Sequence, residues 1–119
     1  MSTVQCRRLQ AAFRHAAESS AKVIVLEGGD DLFSNGIHLN EIEASTDPAV
    51  ESWANIVAMD DLVREIITAT DKVVVAALGR NAGAGGAILP LAADFVLVRQ
   101  SVVLNPHYRN MGWLYGSEY

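Results

Sequence analysis

The chain has 119 residues, a formal net charge of −5, and 50% apolar and 19% charged residues. This composition can support an apolar core and excludes disorder over the whole length. The acidic balance argues against nonspecific nucleic-acid binding, which depends on basic surface. A single cysteine, Cys6, excludes an internal disulfide framework and a cysteine-rich zinc site.

The sequence gives no indication of a membrane span, since no apolar run reaches the roughly 18 residues that cross a bilayer. The opening stretch MSTVQCRRLQ lacks the apolar centre of a signal peptide. The three histidines, at positions 15, 38 and 107, do not have the spacing of metal ligands. We therefore expect a cytoplasmic protein that has no metal in this segment and does not bind a membrane.

The N-terminal segment is predicted to be a helix. Ser2, with Gln5 three residues later, resembles a capping box, and the helix is expected to end near Ser19. Its apolar face repeats at spacings of three and four residues: Cys6, Leu9, Phe13 and Ala16. The short apolar run at residues 23–26 is typical of a strand buried on both faces.

A polar loop is expected at residues 30–40, before a second helix. Asp47 can cap this helix, with Pro48 in its first turn, and the helix should run to about residue 70. Its buried side is predicted at Trp53, Ile56, Val63, Ile66 and Ile67. Its solvated side is predicted at Asp60, Asp61, Arg64 and Glu65.

The second half of the chain continues the alternation of strands and helices. A buried strand is predicted at residues 73–78, followed by a small-residue turn at 79–86 and a short helix at 87–93 with Pro90 in its first turn. Two further strands are predicted at 95–98 and 102–104. This order indicates an α/β fold with parallel strands.

Two glycine-containing loops follow the predicted strands and are the candidate sites. Residues 32–39 contain Gly36, which allows a sharp turn and a close approach to a ligand. Residues 81–86 lead into a helix, where backbone N–H groups without partners can bind a negative oxygen. Taken alone, a glycine cluster after a strand more often forms a tight turn or allows close helix packing. Neither a phosphate-loop nor a dinucleotide-binding pattern is complete.

Taken together and in this order, the two loops resemble those of the crotonase (enoyl-CoA hydratase/isomerase) superfamily. Residues 33–39 read FSNGIHL, residues 82–89 read AGAGGAIL, and AAD follows at 92–94. The resemblance implies that residues 1–119 are one partial domain, the middle portion of a crotonase-like ββα superhelix. It also implies an oxyanion hole formed by the backbone N–H groups of Ile37 and Gly85, which would stabilise negative charge on a thioester oxygen.

The same resemblance implies that the loops bind coenzyme A as an acyl-CoA. The implied contacts are Ser34, Asn35, Gly36, His38 and Gly83. The two glutamates that hydratases of the superfamily use to activate water fall here on Ile88 and His107, and the usual aspartate of the first loop falls on His38. Because isoleucine cannot exchange a proton, hydration by two carboxylates is not expected.

Several further strings are similar to one branch of the superfamily, the crotonase-like C-terminal domain of hydrogenase-maturation proteins. They are SNGIHLN at 34–40, ESWAN at 51–55, MDDL at 59–62, NPHY at 105–108 and YGSEY at 115–119. This similarity implies decarbonylation of formyl-CoA to supply carbon monoxide to a nickel–iron hydrogenase centre. It also implies that the chain is a fragment, with a formyl-tetrahydrofolate-binding N-terminal part and the hydrogenase-maturation machinery as partners.

Three residues near the C-terminus are candidates for moving the formyl proton: His107, Tyr115 and Glu118. Each also has a structural interpretation. His107 can fix a loop, Tyr115 can satisfy a local acceptor, and Glu118 can cap a following helix. Two other functions stay open: a generic enoyl-CoA hydratase or isomerase acting on fatty acyl-CoA, and an inactive truncated fragment that binds coenzyme A. Cys6 is expected in the core, and Asp94 is expected to make a structural hydrogen bond.

Overall fold

The computed structural model describes residues 1–106. None of the helices in this part of the chain is long and apolar enough to cross a membrane. The elements, in chain order, are α1 (Thr3–Glu18), β1 (Val23–Glu27), α2 (Leu39–Glu43), α3 (Pro48–Thr68), β2 (Val73–Leu78), β3 (Ala82–Gly83), α4 (Gly85–Ile88), a 3-10 helix (Leu89–Ala92), β4 (Phe95–Val98) and β5 (Leu104–Asn105).

The main sheet has three parallel strands in the order β1, β2, β4. Val23 lies opposite Val73 at one end of the first pair, and Val75 lies opposite Phe95 in the second. Strands β3 and β5 form a separate parallel pair. Parallel neighbours need long connections, which are supplied here by helices. The α/β arrangement predicted from the sequence is confirmed.

The core lies between one face of the main sheet and helices α1 and α3. Its members are apolar side chains that expose less than a tenth of their surface: Cys6, Phe13, Ile24, Leu26, Ala58, Met59, Leu62, Val63, Ile66, Val74 and Leu89. Helix α1 buries Cys6 and Phe13 of its predicted apolar face, and this burial stabilises the layered arrangement.

The opposite face of the main sheet is exposed within the described residues. Val23 and Val25 in β1 are 51% and 53% exposed, and Phe95 and Leu97 in β4 are 59% and 61% exposed. The prediction that the first strand is buried on both faces is therefore wrong for this chain. A continuous apolar run shows that both faces of a strand can be buried. Here only alternate side chains of β1 pack against helices.

Both long helices begin as their sequences predict. The Ser2 N–H donates to Gln5 Oε1 at 2.8 Å, and the Gln5 N–H donates to Ser2 Oγ at 3.4 Å, which completes the capping box of α1. The Val50 N–H donates to Asp47 Oδ1 at 3.1 Å, and Pro48 occupies the first position of α3. These bonds satisfy N–H groups that have no partner inside a helix.

The predicted buried face of α3 is partly wrong. Val63 and Ile66 are buried, as expected, but Trp53 is 69% exposed and Ile67 is 52% exposed. The buried stripe instead includes Asn55, together with the apolar residues of the core. The prediction selected residues by their apolar type. It therefore omitted Asn55, a polar residue that belongs to the buried face.

The predicted solvated face of α3 carries a polar contact with α1. Arg7 Nη1 donates to Asp61 Oδ2 at 2.7 Å, and Arg14 Nε donates to Glu65 Oε1 at 2.6 Å. Gln10 is buried, and its Nε2 also donates to Glu65 Oε1 at 3.0 Å. These carboxylates are therefore half-buried between helices, because α1 packs beside them with complementary side chains.

The C-terminal elements are shorter than predicted. The apolar helix expected at 87–93 consists of α4, which begins earlier at Gly85, and a 3-10 helix with Pro90 in its first turn. The strand expected at 102–104 is reduced to β5. Helix α2 and strand β3 were not predicted: both are very short, and β3 exists through pairing with β5 far along the chain.

We predict that Asp47→Ala lowers the free energy of unfolding by about 1 kcal/mol, because it removes the side-chain acceptor for the Val50 N–H. Chemical denaturation monitored by circular dichroism measures the change. Thr46→Ala is the control, since Thr46 is the exposed neighbour outside the cap. Equal stability of the two variants would contradict a contribution from the cap.

Candidate functional site

The two loops singled out in the sequence lie side by side and are joined through their backbones. The Phe33 N–H donates to the Asn81 carbonyl oxygen at 2.9 Å, and the Gly83 N–H donates to the Ser34 carbonyl oxygen at 2.9 Å. Ser34 and Ala82 also form an isolated parallel bridge. The first loop follows β1 and the second follows β2, so their approach results from the pairing of those strands.

Glycine is required where the loops are closest. Gly36 has a φ of +74°, and a Cβ added there would lie 2.9 Å from the Gly85 nitrogen. A Cβ on Gly86 would lie 2.2 Å from the Ser34 carbonyl oxygen, which is too close for any side chain. Ala84 also has a positive φ, +47°, just before α4. A side chain at Gly36 or Gly86 would therefore separate the loops.

The backbone N–H groups of the two predicted oxyanion donors are available. No hydrogen-bond partner for Ile37 or Gly85 N–H is found among residues 1–106. The neighbouring Gly36 N–H is occupied, since it donates to Ser34 Oγ at 3.2 Å. The close contact between Gly36 and Gly85 places both predicted donors in adjacent segments.

A cleft of about 740 Å³ lies against the first loop. Its lining consists of residues 29–40 with Met1 and Gln5, and therefore includes every candidate residue of that loop. Gly83 and Gly85 are outside the lining. Within residues 1–106, no lysine or arginine lines this cleft.

Two of the predicted coenzyme-contact residues have local structural roles. Ser34 is 4% exposed, and its hydroxyl is the acceptor for Gly36. His38 is the N-cap of α2: its Nδ1 accepts from the Glu41 N–H at 3.3 Å, and its Nε2 lies 3.8 Å from Glu41 Oε1. Asn35, by contrast, is exposed on the loop. Ser34 therefore stabilises the loop from within.

Asn55, from the string ESWAN, is bonded to the first loop, although its sequence pattern predicts no functional role. It is fully buried on α3. Its Oδ1 accepts from the His38 N–H at 3.3 Å, and its Nδ2 donates to Cys6 Sγ at 3.7 Å. Its spacing of three and four residues from Ala58 and Met59 is the sequence pattern that places Asn55 on the buried face of α3.

Cys6 and Asp94 have the structural roles predicted for them. Cys6 is fully buried in the core, and burial raises the pKa of its thiol. A protonated, enclosed thiol is a poor nucleophile. Asp94 Oδ2 accepts from the Val74 N–H at 2.7 Å, and so ties the segment before β4 to β2. No three His, Cys, Asp or Glu side chains within residues 1–106 are grouped so that they could hold a metal ion.

Comparison with known proteins identifies the family. A sequence model described as enoyl-CoA hydratase/isomerase matches residues 2–117. The chain belongs to the enoyl-CoA hydratase/isomerase family. The enoyl-CoA hydratase from Thermoplasma volcanium has 27% identity and a TM-score of 0.76, over 93% of this chain and 44% of that one. The predicted crotonase-like fold is confirmed.

Within this family, the chain is most usefully compared with hydrogenase-maturation proteins. The hydrogenase maturation factor HoxX of Bradyrhizobium diazoefficiens is 55% identical over 119 residues, which are 100% of this chain and 21% of the relative. HypX from Aquifex aeolicus, in a crystal structure with tetrahydrofolic acid, has 53% identity and a TM-score of 0.96, over 99% of this chain and 21% of that one. The chain thus spans about a fifth of their length, and the predicted resemblance to this branch is confirmed.

Only one of the two positions at which a hydratase is expected to carry a glutamate lies within the described residues. Ile88, at one of the two glutamate positions expected for the family, is the last residue of α4 and is partly buried. The other position, His107, lies outside the described residues, as do Tyr115 and Glu118. Their assignment as proton-transfer groups stays a prediction.

We predict that Gly36→Ala destabilises the protein and opens the contact between the loops. A left-handed conformation costs an L-residue roughly 1–2 kcal/mol, and the new methyl group would contact the Gly85 nitrogen. Denaturant unfolding and amide hydrogen exchange at residues 83–86 measure both effects.

Gly79→Ala is the matched control for this prediction. Nothing lies within 4 Å of a Cβ added at Gly79. The control should keep the stability and exchange pattern of the unsubstituted protein. Similar behaviour of the two variants would show that close backbone contact is not what Gly36 provides.

Proposed function

We propose that this chain is part of the crotonase-like domain of a hydrogenase maturation factor, which decarbonylates formyl-CoA and supplies carbon monoxide to a nickel–iron hydrogenase centre. The observation that carries the proposal is the identity of more than half of the residues to HoxX and HypX over essentially the whole chain. HoxX is named a hydrogenase maturation factor, whereas the hydratase from Thermoplasma volcanium is much less similar to this chain.

In this proposal the thioester oxygen of formyl-CoA accepts hydrogen bonds from the Ile37 and Gly85 N–H groups. Support comes from the absence of other partners for these groups within residues 1–106 and from the contact between their loops. Donors that are already in place need no reorganisation when charge develops on the oxygen. The backbone supplies the donors, so the identity of the Ile37 side chain matters little.

The reaction requires neither an oxidant nor a reductant. The bond between the formyl carbon and sulfur breaks, and sulfur leaves as the coenzyme A thiolate. The formyl C–H bond also breaks, its proton is transferred to the thiolate through a protein group, and carbon monoxide departs. The products are therefore carbon monoxide and coenzyme A. We assign the proton transfer to His107, Tyr115 or Glu118, because Ile88 offers no proton-transfer atom.

The cleft beside the first loop is our proposed location for part of coenzyme A. Because its described lining contains no lysine or arginine, it suits the uncharged pantetheine arm better than the phosphates. Asn35, Gly36 and His38 lie along this cleft, and Gly83 lies in the neighbouring loop. A formyl-tetrahydrofolate-binding region would supply the formyl group; tetrahydrofolic acid is the ligand named for the HypX structure.

A generic enoyl-CoA hydratase or isomerase is the second candidate function. The family match over residues 2–117 favours it. It requires a carboxylate to activate water or move a proton, and Ile88 removes one of the two expected positions. An inactive coenzyme A-binding fragment is the third outcome that the experiments below distinguish.

We predict that the protein produced from its complete reading frame releases carbon monoxide from formyl-CoA and that Gly85→Pro abolishes the release. Proline removes the N–H that we assign to the oxyanion hole. Trapping carbon monoxide on reduced haemoglobin measures the reaction. Gly79→Ala, in an open position of the same glycine-rich stretch, is the active control.

Circular dichroism and coenzyme A binding must show that Gly85→Pro is folded. No release above the buffer blank, from a folded protein that binds coenzyme A, would overturn decarbonylation. Hydration of crotonyl-CoA by that protein would then establish the second function. The lack of both activities with retained coenzyme A binding would establish the third.

We predict that His107→Phe or Tyr115→Phe slows carbon monoxide release by a hundredfold or more, since positioned acid–base groups contribute about 10²–10⁴ in rate. The dissociation constant of coenzyme A should stay nearly unchanged, because the substitutions affect the proton step. Steady-state rates and calorimetric titration provide the two measurements. Turnover close to that of the unsubstituted protein in both variants would remove these residues from the mechanism.

A further inference from the structure

Asn55 is a fully buried amide on the core-facing side of α3. A buried amide is unfavourable unless its polar atoms have partners. Both atoms of Asn55 have one: Oδ1 accepts from the His38 N–H at 3.3 Å, and Nδ2 donates to Cys6 Sγ at 3.7 Å. The side chain therefore joins α1, α3 and the first loop.

Packing alone does not explain an amide at this position. Leucine has a similar size and would bury more apolar surface beside Met59 and Leu62. Sulfur is a weak acceptor, so the contact with Cys6 offsets little of the cost of burying an amide. The bond that only a polar side chain can supply here is the one to the backbone of His38.

That bond completes a pattern over three successive N–H groups. The Gly36 N–H donates to Ser34 Oγ at 3.2 Å, and the His38 N–H donates to Asn55 Oδ1. Between them, the Ile37 N–H has no partner among residues 1–106. Side chains thus hold the peptide groups on both sides and leave the middle donor free.

We infer that Asn55 is a positioning residue, which fixes the peptide at His38 so that the Ile37 N–H stays directed at the thioester oxygen. The inference rests on the proposed oxyanion hole and extends it to a residue that touches no ligand. Ser34 holds the other side of the donor from within the loop, whereas Asn55 couples the donor to the core. Loss of Asn55 should therefore weaken recognition of the carbonyl oxygen more than binding of the coenzyme.

The test compares Asn55→Leu with the unsubstituted protein from the complete reading frame. The probes are propionyl-CoA, a thioester, and S-propyl-coenzyme A, a thioether without the carbonyl oxygen. We expect the unsubstituted protein to bind the thioester more tightly and to lower the stretching frequency of its carbon-13-labelled carbonyl. Asn55→Leu should reduce the affinity ratio about fivefold, the size of one ordinary hydrogen bond, and reverse most of the frequency shift.

Cys6→Ala is the matched control, because it also alters the buried contact but leaves the bond from His38 to Asn55 in place. It should keep both the affinity ratio and the carbonyl frequency. A general loss of stability would affect the two variants alike. A ratio that survives Asn55→Leu would overturn the role of Asn55, whereas no thioester preference in the unsubstituted protein would overturn the oxyanion hole itself.

Hydrogen exchange of the unsubstituted protein decides the matter if Asn55→Leu does not fold. The His38 amide should exchange slowly and the adjacent Ile37 amide quickly, because only the former has a protein acceptor. Residue-resolved mass spectrometry measures both. Fast exchange at His38 would overturn the inference without bearing on decarbonylation.

Discussion

The site depends on backbone-to-backbone contact between two loops that follow neighbouring parallel strands. At the contact, Gly36 meets the Gly85 nitrogen and Gly86 meets the Ser34 carbonyl oxygen, with no room for a Cβ at either glycine. Strand pairing brings the loops together, and the bond from Gly83 to Ser34 holds them there. The candidate hydrogen-bond donors of this site are therefore backbone peptide groups and not side chains.

The parts of the fold predicted well from sequence are those that local chemistry determines. The capping box at Ser2 and the cap at Asp47 fix the starts of α1 and α3 through bonds that span three residues. The parts predicted poorly depend on contacts distant in sequence. Strand β3 exists because it pairs with β5, and the half-buried carboxylates of α3 face arginines of α1. No local pattern contains that information.

The exposed sheet face shows the same limit in another form. Residues 23–26 are all apolar, yet Val23 and Val25 point away from the helices and are half-exposed. An apolar strand sequence indicates that both faces of the strand can be buried. It does not indicate which elements cover those faces. The misplaced stripe of α3 has a related cause: counting apolar residues favoured Trp53 and passed over Asn55, whose burial is explained by a backbone partner seventeen residues earlier in the chain.

The candidate site was located through its motif, and its supporting residues were found only in three dimensions. Glycines leave a signal in sequence because their replacement is sterically forbidden. Ile37 leaves almost none, since every residue except proline has the same backbone N–H group. In our proposal this donor is positioned by Ser34 and Asn55, whose side chains accept hydrogen bonds from the N–H groups on either side. In a site whose donors are peptide groups, we therefore expect the important side chains to contact the backbone and not the ligand. By accepting hydrogen bonds from the neighbouring N–H groups, they leave one N–H group available to the ligand.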